Sequence, residues 1–243
     1  MGTGPGNPDL LTLRAVRAIE DAHAIIAPMG MVNGRSSALE TIRGAVDISR
    51  KEVVEIHFSM KKVRLSREKD KEVALSWEKA AKAVLERTDK GVNVVFPTLG
   101  DPSFYSTAYY LLATVLEKQP GLATEIIPGI NAMSTCSSVI QSPLALGDDI
   151  FCVIPATFDD DRIEAALETF DSIALMKVHR CLPRIVKILD GLKLVERAVL
   201  VERCSLEGQR IFYDLRDAID KKIHYFSTVL VRKQGMQNLF DKV

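Results

Sequence analysis

The sequence predicts an α/β protein built around a mostly parallel sheet, with mixed sheets flanked by helices. Three observations carry that expectation. Short apolar, β-branched runs recur along the chain, segments of crossover length with helical periodicity separate them, and glycine and proline cluster at the junctions.

Residues 1–7 are nearly all turn formers. Leu10, Leu11, Leu13, Val16, Ala18 and Ile19 then recur at helical spacing, and Thr12 is placed to cap that helix. Ala15 rather than an acid occupies the third helical position, so there is no capping box. Residues 24–27 form a short strand ending at Pro28, residues 36–46 a helix, and residues 53–58 a strand. A basic segment from Lys61 to Lys71 precedes a helix over 73–85. The β-branched run 92–96 reads as a buried strand that passes into PTLGDPSFYST, and a helix follows over 108–116. Residues 124–127 are a further strand, halted by Pro128-Gly129.

Beyond that point strands are expected at 150–154, 173–176 and 198–202, with helices at 160–168 and 182–189 between the first pairs. Residues 211–213 and 225–231 lack a long intervening helix and read as a closing antiparallel portion. Two α/β domains are therefore expected, 1–124 and 125–243, with 234–243 as a peripheral tail.

The 243 residues are 47% hydrophobic and 26% charged, the balance of a globular chain with a real core. Lys+Arg and Asp+Glu both number 32, which gives no global attraction to nucleic acid but leaves room for a local basic pocket. Cys136, Cys152, Cys181 and Cys204 lie far apart and form no close pair in sequence, favouring reduced thiols over a disulfide scaffold or zinc knuckle. No run approaches the roughly 18 apolar residues of a membrane span, and no charged-then-apolar leader is present. A cytoplasmic, membrane-free protein without a bound metal is the expectation.

Gly2, Gly4 and Gly6 in GTGPG invite comparison with a dinucleotide loop. The third glycine of that fingerprint is missing, Pro5 removes a backbone donor, and only Met1 stands where a strand should precede the loop. No GxxxxGK[ST] occurs. Nucleotide binding of either kind is disfavoured, and a tight, close-packed bend is the alternative.

Three further stretches bear on function: GDPSFYST at 100–107, PGINA at 128–132 followed by Pro143-Leu144, and MKVHR at 176–180. In this order behind GTGPGNPDLLT, they make the chain resemble the tetrapyrrole methylases, S-adenosylmethionine-dependent enzymes with a two-domain class III methyltransferase fold. The resemblance runs from Gly2 to about Val231. TLGDPSFYSTAYYLL, Ala27-Pro28 with Gly30, Trp77, and YFS at 225–227 point within the family to the branch that methylates C20 of precorrin-2 or its cobalt-bearing counterpart. The family usually carries a hydrophobic strand before GxGPG, so the first sheet is expected to be one strand short.

The resemblance implies cofactor contacts at Pro5, Leu99, Gly100, Asp101, Phe104, Asn131 and Ala132, in a cleft between domains. Lys177 and Cys204 match positions that touch the adenosyl moiety mainly through backbone groups. Elementary chemistry agrees in part. Gly100 allows backbone to approach a ligand where a Cβ would intrude. Asp101 either faces the positive end of the cofactor or caps the helix at Phe104. Asn131 stands at a helix start, as ligand contact or as N-cap.

A polycarboxylate macrocycle needs cations and an apolar floor, and arginine suits carboxylates better than lysine. Arg35, Lys61, Lys62, Arg64, Lys177, Arg180 and Arg203 are the candidates. The 61–71 segment holds six basic residues against Glu68 and Asp70 and reads equally as a solvated loop. Tyr105 and Ser106 belong on the substrate-facing side of the cofactor loop. There Tyr105 stacks on the ring, donates to a carboxylate or fills the domain interface. Tyr105 and His179 are the candidate catalytic side chains, His179 as general base. His23 and His57 read as structural, and His224 has no assigned role. The resemblance further implies S-adenosylhomocysteine as product and a homodimer. The competing functions are methylation of another precorrin carbon or a different substrate, and a non-catalytic ligand-binding regulator.

Overall fold

In the computed structural model, which describes residues 1–30, 34–58 and 71–235, the chain divides into two units, Met1–Asn131 and Ala132–Val243. The first is organised around one strand. α1 (Leu13–Asp21) starts at Thr12, whose hydroxyl accepts from the Ala15 N–H at 3.1 Å. It leads into β1 (Ala24–Met29), then α2 (Ser37–Ala45), capped by Ser36, and β2 (Glu52–His57). α3 (Lys71–Thr88), β3 (Val94–Val95) and α4 (Ala108–Lys118) complete the unit. The sheet order is β2-β1-β3, all parallel.

Side chains alternate along β1, so its two faces bury into different helix pairs. Ile25 and Ala27 pack with Ala15 and Ile19 of α1 and with Leu39 and Ile42 of α2. Ile26 faces the other way, into Trp77 and Ala81 of α3 and Leu111 and Val115 of α4. Trp77 stacks flat on Tyr110, centroids 4.5 Å apart. The strand continues through Pro28 instead of stopping there. Met29 O accepts from Phe58 N on the β2 side, so alternation turns the Pro28 nitrogen towards β3, whose pairing ends at Ile25↔Val95. No ladder bond is lost.

Only two residues of the expected 92–96 strand are regular, and 124–127 is not a strand. The reason is a change of partner. Thr98 N donates to Met1 O and Thr3 N to Thr98 O, both at 2.9 Å, while Gly2 N donates to Ile127 O at 2.9 Å. Residues 1–3 thus run parallel to 96–98 and also bind Ile127.

The second unit opens with α5 (Ala132–Val139), followed by β4 (Phe151–Pro155), α6 (Asp160–Thr169), β5 (Ser172–Met176) and α7 (Leu182–Gly191). β6 (Ala198–Glu202), β7 (Arg210–Phe212) and β8 (Ser227–Arg232) follow. The order β4-β5-β8-β6-β7 is mixed, because β8 runs antiparallel between β5 and β6. The expected antiparallel portion is present, but β8 lies in the interior of the sheet instead of closing its edge. Ile173, Leu175, Leu200, Val229 and Val231 pack under α6 and α7, and Ala174, Val199, Val201 and Leu230 under α5. This strict alternation follows from a sheet covered on both faces.

Candidate functional site

In the first unit, three glycine loops meet backbone to backbone just beyond β3. Gly4 N donates to Gly100 O at 3.2 Å, and Gly100 N donates to Gly4 O at 2.6 Å. A Cβ on Gly2 would lie 2.7 Å from both Gly100 O and Gly129 Cα. One on Gly129 would collide with Gly100 O and come 2.9 Å from Gly2 Cα. Gly2 and Gly129 are therefore required by each other and by the Gly100 carbonyl between them.

Asp101 locks the junction. Its Oδ1 accepts from Ser103 N at 2.7 Å and its Oδ2 from Gly129 N at 2.8 Å. Of the two roles weighed for this carboxylate, the structure shows a turn cap, one residue before Phe104, together with a tie to the 128–129 loop. Gly100 differs from its neighbours. Its φ is +75°, and nothing lies within 4 Å of the direction a Cβ would take. That open face is what close approach of a ligand to backbone requires.

Leu99 and Gly100 are half-buried and Pro5 is buried. Phe104 and Tyr105 are exposed, Tyr105 with φ +50°, in the left-handed region. Ser106 Oγ pairs with Thr98 Oγ1 at 2.9 Å and accepts from Ala108 N at 3.1 Å, so this hydroxyl serves the start of α4. Asn131 precedes Ala132, the first residue of α5. Arg35 is exposed immediately before the α2 cap. Lys61, Lys62 and Arg64 lie outside the described residues.

In the second unit β5 and β6 both flank β8, running opposite to it. Their carboxyl ends and the start of β8 therefore share one edge of the sheet. Lys177, His179 and Arg180 follow β5, Arg203 and Cys204 follow β6, and His224, Tyr225 and Phe226 lead into β8. Lys177 (φ +63°) and Arg203 (φ +50°) both adopt the left-handed conformation that reverses the chain at the strand ends. The buried Glu202 carboxylate accepts from the Arg210 guanidinium and, at 2.6 Å, from His224 N. Burial pushes its carboxyl up, but those bonds and the nearby charges outweigh burial and leave it below the ordinary value. Cys136 and Cys204, remote in sequence, share one apolar cluster, and all four thiols are free. The Cys136 thiol is held up by its hydrogen bond with Cys204 and by burial.

Burial and the Arg180 charge lower the pKa of His179, and burial and the Arg203 charge lower that of His224, against the pull of Glu202. Both imidazoles are neutral at pH 7. Unfolding releases them to their ordinary value, so the unfolded chain binds more protons below about pH 6.5. Their contribution to stability is complete above that pH and is lost as pH falls through the lowered folded values. We expect the urea midpoint to drop between about pH 7 and pH 5.5, before carboxylates titrate. A His179→Asn/His224→Gln protein should lose part of that drop, the remainder belonging to the Met1 ammonium, which burial lowers to about 6, and an unchanged slope would contradict this assignment.

Sequence reasoning missed the Glu202 anchor and the loop it holds. The available signal was an acid ending the apolar strand AVLVE. Among the described residues no His/Cys/Asp/Glu group could hold a metal, and no helix is long and apolar enough to cross a membrane.

The chain superposes on a Thermus thermophilus uroporphyrin-III C-methyltransferase complexed with S-adenosylhomocysteine, with a TM-score of 0.64 at 20% identity, covering 96% of this chain and 95% of that one. The fold is that of the class III methyltransferases. The tetrapyrrole (corrin/porphyrin) methylase model matches residues 1–219. The chain belongs to that family, and the protein is an S-adenosylmethionine-dependent methyltransferase. Its relatives include the cobalt-precorrin-2 C(20)-methyltransferase of Salmonella typhimurium, 33% identical over 96% of this chain and 95% of that protein. A precorrin-2 C(20)-methyltransferase of a Sinorhizobium species is 30% identical over 95% and 93%.

Proposed function

We propose that the protein methylates the C20 bridging carbon of precorrin-2 or of its cobalt-bearing counterpart. The observation that carries this reading is the near-full-length similarity to two C(20)-methyltransferases, one for each metal state. S-adenosylmethionine supplies an already activated methyl group when bound and leaves as S-adenosylhomocysteine. The chain's own task is alignment and exclusion of water. The open face of Gly100, with Leu99, Pro5, Phe104, Asn131 and Ala132, holds the donor, and Asp101 acts by fixing that loop. In the second unit the same reading assigns backbone contacts to Lys177 and Cys204. Arg35, Lys61, Arg180 and Arg203 bind substrate carboxylates, and Tyr105, fixed on a left-handed residue, faces the macrocycle beside Ser106.

His179 is the proposed acceptor of the proton that C20 releases when the carbon–carbon bond forms. Its neutrality leaves a lone pair available at pH 7. The protein works in the cytoplasm as a homodimer on this reading, which light scattering of the purified chain would check.

Carbon-13 methyl donor should be incubated separately with precorrin-2 and cobalt-factor II, and the labelled carbon identified by NMR. Label at C20 is expected. Label elsewhere would assign the chain to a sister activity, and donor binding without turnover would favour a regulator. His179→Asn should slow single-turnover transfer by about 100-fold with donor affinity intact. An unchanged rate would remove His179 from the mechanism.

A further inference from the structure

Val199 and Val201 of β6 point into the cluster under α5, and at a period of two the next residue to join them would be Arg203. Cys204 joins them instead. Arg203 (φ +50°) and Ser205 (φ +66°) are both left-handed, and the reversal they make turns the Cys204 side chain back under α5. Arg203 N donates to Phe226 O at 2.6 Å and Ser205 N to Gln209 Oε1 at 2.8 Å, so the turn is held on both sides of the cysteine. There its sulfur is hydrogen-bonded to that of Cys136, one turn into α5, and the Thr228 hydroxyl of β8 hydrogen-bonds to Cys136 as well. Filling space under α5 asks only for small apolar side chains. Two thiols in contact add a chemistry that alanines would not.

The two sulfurs are not equivalent. Cys136 is 1% exposed, and Cys204, just past the end of β6, is 7% exposed. Their shared hydrogen bond holds the Cys204 thiol below its ordinary pKa, while the same bond and burial push Cys136 up. Burial also raises Cys152 and Cys181, and Cys181 Sγ donates to Ala156 O at 3.3 Å. Of the four thiols Cys204 therefore has the greatest thiolate character, and Cys136 is its immediate neighbour. A small neutral oxidant meets Cys204 first, and the buried Cys136 stands where a resolving thiol is needed.

We propose that Cys136 and Cys204 form a redox-modification site, which hydrogen peroxide converts to a disulfide that weakens binding of the methyl donor and which thiols restore. The Cys204 thiolate attacks one peroxide oxygen, the O–O bond breaks, and the leaving hydroxide takes up the thiol proton as water. Cys136 sulfur then attacks the Cys204 sulfenic acid, the S–S bond forms, and the oxygen leaves with the Cys136 proton as a second water. Two thiols lose two electrons and one peroxide gains them. A disulfide draws its sulfurs to about 2.05 Å, well inside a hydrogen-bonded contact, so α5 or the 203–205 turn has to shift. Both carry backbone assigned above to the donor, Ala132 at the start of α5 and Cys204 itself. The coupling rests on that placement of the donor and adds a control on it.

The full chain should be treated with hydrogen peroxide as wild type, Cys136→Ser and Cys152→Ala/Cys181→Ala, and each protein titrated with S-adenosylhomocysteine against its own reduced form. Oxidised wild type is expected to carry a bond between Cys136 and Cys204 by peptide mass mapping. It should bind S-adenosylhomocysteine about tenfold more weakly and recover with dithiothreitol. The Cys152→Ala/Cys181→Ala protein keeps the pair and should respond in the same way. Cys136→Ser stops at the sulfenic acid, with no link to draw tight, and its affinity should change by less than about twofold. If Cys136→Ser disturbs the thermal midpoint, Cys136→Ala carries the same expectation. By linkage, saturating S-adenosylhomocysteine should raise the reduction potential of the wild-type pair by about 30 mV, the equivalent of tenfold for two electrons. Absence of the Cys136–Cys204 bond, a bond that leaves affinity unchanged, or an equal loss in Cys136→Ser would overturn the proposal. A reduced wild-type chain that does not bind S-adenosylhomocysteine would instead overturn the donor reading it rests on.

Discussion

Gly129→Ala is expected to destabilise the first unit by about 3 kcal/mol and to weaken S-adenosylhomocysteine binding at least tenfold. The new methyl would meet Gly100 O and Gly2 Cα, and both are backbone atoms with no rotamer to yield. Relief requires the 128–129 loop to withdraw, which also breaks the 2.8 Å bond from Gly129 N to Asp101. Gly121→Ala is the matched control, since nothing lies within 4 Å of its Cβ direction. That variant should stay within about 1 kcal/mol of wild type. Urea denaturation and calorimetric titration of the two proteins give the comparison. Equal stability and affinity would mean that the three loops do not form a common junction.

Asp101→Asn is expected to lower both stability and donor affinity. The carboxylate accepts from Ser103 N with one oxygen and from Gly129 N with the other. An asparagine has a single carbonyl oxygen, so its amide group must face one of those N–H groups and leave it unsatisfied. The cost is about 1–3 kcal/mol, and the loop that presents Gly100 loosens with it. A carboxylate acting only on the donor's positive charge would behave differently. Donor affinity would then fall while the urea midpoint stayed at the wild-type value. Measuring both quantities on one preparation separates the two roles.

The layers of the fold were legible because periodicity reports burial. The helix capped by Thr12, the Ser36-capped helix and strand 198–202 all stand where apolar spacing put them. What periodicity could not give was partner choice. Residues 1–3 carry too little pattern to reveal that they pair with 96–98, and this pairing shortens β3 and leaves 124–127 irregular. The interior placement of β8 is likewise invisible locally, because a strand buried on both faces reads the same at the centre of a sheet as near its edge.

The site followed the same division. The glycine motifs stand at loops that meet in space, but their spacing resembles a phosphate loop, whereas the cause is mutual contact between three loops. Asp101 was ambiguous because an acid after glycine suits a cap and a ligand equally. The pair Cys136 and Cys204 was hidden by a separation that β6 and α5 close in space. The Glu202 anchor required knowing that His224 N lies 2.6 Å away, which nothing local in the sequence encodes.

The most direct test of the central claim is a crystal structure of the protein with S-adenosylhomocysteine. The account predicts the ligand in van der Waals contact with Leu99-Gly100 backbone, filling the open face at Gly100. A ligand bound elsewhere, with that face still open to solvent, would contradict it.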